Sequence, residues 1–118
     1  MPQPDPQPLL PLKPVVFQVL LSLAGGERHG YAIVQDIAER SSARLQLEPG
    51  NLYRTLQWML DQQLIEESDR RPAPDRDDER RRYYRVTKFG HRVASAEAAR
   101  LAELVADARA RKLLKGRA

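Results

Sequence analysis

The chain has 118 residues, 42 % of them apolar, and no cysteine, so it suits one domain with an ordinary core. It excludes a disulfide scaffold, a thiolate nucleophile and a cysteine-based zinc site. The net charge of +4 is unevenly spread: residues 1–68 hold five basic and eight acidic residues, net −3, and residues 69–118 hold fifteen and eight, net +7. A basic half favours a polyanionic partner, although basic helices are also common as solvated surfaces. No apolar run approaches the roughly 18 residues of a membrane span. The start, MPQPDPQPLLPLKP, lacks the basic-then-apolar pattern of a signal peptide. The expectation is a cytoplasmic protein without a membrane partner.

Six of the nine prolines fall in residues 1–14. Proline fixes φ and removes a donor, so residues 1–13 read as a disordered, extended arm. A first helix is expected from Pro14 to Ala24, with Pro14 in its first turn and Val15, Val16, Val19, Leu20 and Leu23 as its apolar stripe. Gly25 and Gly26 end it. A second helix is expected over Gly30–Ser41, with Tyr31, Val34, Ile37 and Ala38 on one face and Gln35, Asp36, Glu39 and Arg40 outward. In the linker that follows, Leu45 and Leu47 suit a very short strand.

The third helix has the clearest signals. Pro49 takes its first turn after Glu48, and Leu52, Leu56, Met59 and Leu60 recur at i, i+4, i+7 and i+8. Asn51, Arg54, Thr55, Trp58 and Gln62 lie largely on the other side. Amide, hydroxyl, guanidinium and indole groups together suit the reading of base edges. Trp58 has two readings, contact with DNA or packing against another element. LIEES then reads as a strand, DRRPAPDRDDER as an exposed loop, and RYYRV as a second strand with Tyr84 and Val86 on one face. Thr87 is a fitting N-cap for a last helix over residues 88–114. Along it Ala94, Ala98, Leu101, Val105 and Ala108 repeat by 4, 3, 4 and 3, a short coiled-coil seam that asks for a second copy of the chain.

Three helices, a hairpin with a charged loop and a long helix are the order of a winged helix-turn-helix with a C-terminal dimerisation helix. The fold expected is therefore mostly α with a small β-hairpin, divided into the arm 1–13, a DNA-binding unit 14–87 and a dimerisation helix with a short tail 88–118. HGY at 29–31, EPGNLYRTLQWMLDQQLIEES at 48–68 and RRRYYRVTKFG at 80–90 come in the order and spacing in which the chain resembles the PadR family of transcriptional regulators, in its short-form branch. The resemblance implies a homodimeric repressor at a near-palindromic operator. In several members small molecules or stress signals release the protein from DNA, so an effector is a further partner that the resemblance admits.

Carried over residue by residue, the resemblance places Pro49, Gly50, Asn51, Leu52 and Tyr53 at the opening of the recognition helix. Asn51, Arg54 and Thr55 occupy its leading groove-facing turn. His29 and Tyr31 precede or open the second helix, where backbone amides suit a phosphate. His29 is read either as a helix cap or as a phosphate ligand. Tyr31, Tyr53 and Tyr84 are read first as packing aromatics, with backbone contact through the hydroxyls of Tyr31 and Tyr53 as the alternative. Arg80, Arg81 and Arg82 form the basic run into the second wing strand. Two departures stand out. Gln63 replaces the usual glycine after the recognition helix, and residues 69–82 balance to only +1, six basic against five acidic.

Catalytic patterns are missing from the sequence: it has no HExxH, CxxC, GxSxG or GxxxxGK[ST], and His29 and His91 lie in different elements. The expectation is no enzyme, no metal and no cofactor. The alternative to DNA binding is a winged-helix adaptor that binds protein, since fold does not settle function.

Overall fold

The computed structural model describes residues 5–42, 44, 47–68 and 82–115. A 3-10 turn, Gln7–Leu9, leads into α1 (Pro14–Ala24), β1 (Arg28–His29), α2 (Gly30–Arg40), α3 (Pro49–Asp61), β2 (Ile65–Glu67), β3 (Tyr83–Val86) and α4 (Lys88–Ala110). The strands form one antiparallel sheet in the order β1-β3-β2, with Ile65 opposite Val86, Glu66 opposite Arg85, and His29 opposite Tyr83. The architecture is the expected one, a helical body with a small sheet and a long last helix. The β2–β3 pairing matches the hairpin read from the sequence. Strand β1 is an addition: two residues are too short to show an alternating pattern. The Leu45 half of the short-strand expectation lies outside the described residues.

The apolar stripes meet in one core. Val16, Val19, Leu20 and Leu23 of α1 pack with Leu52, Leu56 and Met59 of α3, and with Ile33 and Ile37 of α2. Leu64, Ile65, Tyr84 and Val93 close it from the sheet and α4. The stripe of α2 is turned from the expected one. Ile33 and Ile37 lie inward, while Tyr31 is 64 % exposed. Asp36 is not outward either. It accepts from Ser22 Oγ (2.6 Å) and Arg40 Nε (2.8 Å), with Arg28 at 4.0 Å, so a polar cluster ties α1 to α2. The Ser22 hydrogen bond, aided by the two guanidiniums, holds the Asp36 carboxyl below its ordinary value against the opposing effect of burial.

The arm departs from the disordered tail expected for residues 1–13. From Asp5 onward it has described structure, and Leu12 is 7 % exposed inside the core. Its backbone N–H donates to Glu97 Oε2 at 3.2 Å. Proline removes donors, but Leu9, Leu10 and Leu12 between the prolines still have apolar surface to bury, and Leu9 and Leu10 pack against the core.

Helix α3 ends in a Schellman turn. Gln63 takes φ 63°, Gln63 N–H donates to Leu60 O (3.0 Å) and Leu64 N–H to Met59 O (2.9 Å). Gln63 thus adopts the left-handed conformation that glycine usually takes at this position. Thr87 then fastens α4 to this turn. Its hydroxyl donates to Gln63 O (2.6 Å) and accepts from Gly90 N–H (2.9 Å), so it is the N-cap that was expected. Gly90 passes so close that a Cβ there would lie 1.9 Å from Leu64 O. Only glycine permits this approach.

Candidate nucleic-acid interface

On α3 each residue turns by about 100°, which sets its faces relative to Leu52, Leu56 and Met59. Gly50, Arg54, Gln57 and Asp61 point most directly away from the core, and all four are exposed. Arg54 Nη2 donates to Asn51 Oδ1, and Gln57 Nε2 donates to Asp61 Oδ1 at 3.0 Å. Of the expected reading residues, Arg54 holds the outermost position. Asn51, half-buried Thr55 and Trp58 lie on one flank. Gln57 was missed, because glutamine on a helix carries no signal that separates reading from solvation.

That flank faces the arm. Asn51, Thr55 and Trp58 line a groove of about 610 Å3 together with Leu9, Lys13 and Leu47. Trp58 keeps 40 % of its surface exposed there. Its ring therefore belongs to the groove beside the arm rather than to the core. Lys13 adds a cation to the same wall. No pattern in the sequence joins Lys13 to α3, since only the folded arm brings them together.

The opposite flank of α3 meets the start of α2. His29 caps α2 by accepting from Ala32 N–H through Nδ1 at 3.2 Å. Its ring lies parallel to that of Tyr31, with centroids 6.4 Å apart, and edge-on to that of Tyr83 at 5.3 Å. Tyr53 lies against Gly30: a Cβ at that position would be in ordinary contact with the Tyr53 hydroxyl oxygen, at 3.6 Å. Tyr31 and Tyr53 are exposed, unlike Tyr84, which is buried as expected. Burial, strengthened by nearby Glu67, raises the Tyr84 hydroxyl above its ordinary pKa. Tyr31, His29 and Tyr53 thus gather beside the N-terminus of α2, where backbone amides and hydroxyls are donors for a phosphate.

The base of the wing carries more acid than the arginine run suggests. Arg82 Nε lies 3.6 Å from Glu67 Oε1, and Arg85 lies 2.7 Å from Glu66 and 3.8 Å from Glu27. Arg80 and Arg81 lie outside the described residues. In the expected dimer seam, Ala94 is half-buried against the core, Leu101 and Ala108 are half-buried, and Ala98 and Val105 are exposed. Leu104, which was not part of that seam, is 52 % exposed beside Val105. Among the described residues no group of His, Asp and Glu is placed to hold a metal ion, and no helix is long and apolar enough to cross a membrane.

Solved structures share this arrangement. A Clostridium thermocellum transcriptional regulator superposes with TM-score 0.68 at 22 % identity, covering 86 % of this chain and 90 % of that one. A Streptococcus transcriptional regulator gives 0.66 at 28 % identity, with 83 % and 91 % covered. A Bacillus subtilis PadR in complex with operator DNA gives 0.61 at 19 % identity, with 73 % and 47 % covered. No curated protein matches the chain. The family profile described as the transcriptional regulator PadR-like family matches residues 19–96, more than half of the sequence, and spans the helix-turn-helix, the wing and the start of α4. The chain belongs to the PadR-like family of transcriptional regulators.

Proposed function

We propose that this protein is a sequence-specific DNA-binding repressor, acting in the cytoplasm as a homodimer on a near-palindromic operator. The observation that carries the reading is the outward face of α3, where Arg54 and Gln57 stand exposed opposite a fully buried apolar stripe. A helix with such a face fits the major groove, and a guanidinium there suits guanine O6 and N7. Asn51, Thr55 and Trp58 follow the groove wall. The cluster of His29, Tyr31 and Tyr53 seats a phosphate at the start of α2, and Arg80, Arg81 and Arg82 reach the flanking backbone. The related PadR bound to operator DNA supports this reading.

In the proposal residues 14–87 form the DNA-binding unit, and residues 88–118 the dimerisation helix with its tail. Bare Leu104 and Val105, next to half-buried Leu101 and Ala108, supply the apolar seam for a second copy, with Ala98 and Ala94 leading back to the body. Two recognition helices then sit about one turn of duplex apart. A protein-binding adaptor is the second reading, favoured by the net charge of −3 over residues 1–68.

The test is anisotropy on a duplex recovered by genomic pull-down. Arg54→Ala should weaken that duplex about tenfold and a random duplex far less, as expected for one lost base contact. Equal loss on both would remove Arg54 from base reading. Absence of any duplex binding at low salt would leave the adaptor reading. Val105→Asp should shift the sedimenting species from dimer to monomer. A wild-type monomer at micromolar concentration would end the dimer proposal.

A further inference from the structure

We propose that Glu67 is a built-in competitor for phosphate, which holds Arg82 in an ion pair and so weakens the grip of the wing on duplex DNA. The inference rests on the DNA-binding reading above and adds a control on its strength. On the described base of the wing two guanidiniums, Arg82 and Arg85, face three carboxylates, Glu27, Glu66 and Glu67. Carboxylates thus stand among the described cations of a surface meant to meet a polyanion.

Both described arginines meet carboxylates. Arg85 sits on the central strand between Glu66 on one side and Glu27 on the other, and its Nε donates to Glu66 at 2.7 Å. Two carboxylates from two neighbouring segments keep it in place. Arg82 meets Glu67 at 3.6 Å, beyond a good hydrogen bond, and both side chains are 42 % exposed. A backbone phosphate offers a guanidinium the same paired oxygens and the same single negative charge as a carboxylate, within a dense row of like groups. Among the described residues Arg82 is thus placed to exchange the Glu67 carboxylate for a backbone phosphate, with Glu67 as a competing group. A phosphate contact carries no sequence information, so Glu67 acts on overall affinity and not on the choice of site.

The experiment uses the full chain and a random-sequence duplex at two salt concentrations, read by anisotropy, with melting curves confirming that each variant is folded. Glu67→Gln should tighten binding by about threefold, the scale of one exposed ion pair. The gain should vanish in the Arg82→Ala background. No gain in Glu67→Gln overturns the proposal. A gain that survives in Arg82→Ala overturns it as well, since the carboxylate would then be repelling phosphate directly. If the unaltered chain binds no duplex at either salt, the DNA-binding reading fails and takes this inference with it. A duplex-binding chain with an unchanged Glu67→Gln variant refutes the inference alone.

Discussion

Residues 88–100 of α4 are fastened to the body of the fold, whereas residues 101–110 extend past it with Leu104 and Val105 bare. Both halves are alanine-rich helix with similar intrinsic propensity. They differ in what they touch. The first half has Thr87 as its cap, Gly90 against the Leu64 carbonyl, Val93 in the core, and Glu97 only 2 % exposed. Glu97 accepts from the Leu12 N–H and takes both Arg100 Nε (2.6 Å) and Nη2 (2.9 Å). Similar helical composition thus serves as part of the core in one half and as a surface awaiting a partner in the other.

Three variants probe that contrast, from the strongest to the weakest. Gly90→Ala drives a methyl into the Leu64 carbonyl and should cost about 3 kcal/mol in denaturant unfolding. A cost near zero would mean that α4 is not seated there.

Glu97→Gln removes the charge that Arg100 and Leu12 share, and should cost about 2 kcal/mol. Its Arg100 hydrogen bonds hold the Glu97 carboxyl below its ordinary value, with the Leu12 N–H helping and burial opposing. A carboxyl depressed on folding contributes stability above its unfolded pKa, and loses it as pH falls through the folded value. Wild-type stability should therefore decline below about pH 4.3, the reference for glutamate. The Glu97→Gln decline should be shallower, with Asp36 supplying part of what remains. Identical pH profiles for the two proteins would deny Glu97 this role.

The smallest effect is at the turn that receives α4. Gln63 at φ 63° is strained, and Gln63→Gly should raise stability by about 0.5–1 kcal/mol in the same unfolding assay. A loss of stability would show that the Gln63 side chain outweighs its backbone strain.

The chemistry of the candidate interface was only partly visible in the residues. Arg54 was readable, because helical periodicity places it opposite Leu52, Leu56 and Met59. His29 as a cap and Thr87 as a cap were readable, because a polar side chain just before a helix has local donors to accept from. Tyr31 was assigned to the wrong face of its helix. A tyrosine counts as apolar in a periodic pattern, and counting it turns the stripe away from the Ile33–Ile37 pair that marks the buried face. Gln57 and Lys13 were not readable: one is chemically ordinary, and the other gains its meaning from the arm lying beside α3.

Local chemistry along the chain was enough to settle where the helices begin, which residues form the core stripes of α1 and α3, where the wing hairpin lies and where α4 starts. Periodicity, caps and proline act over a few residues, so the information is present before folding. The folded molecule alone decided that a proline-rich arm packs on α4, that Glu97 is buried, that Asp36 joins two helices and that the wing arginines meet carboxylates. Each of these depends on contact between segments far apart in the chain, such as Leu12 with Glu97, and residue order does not encode such distances locally.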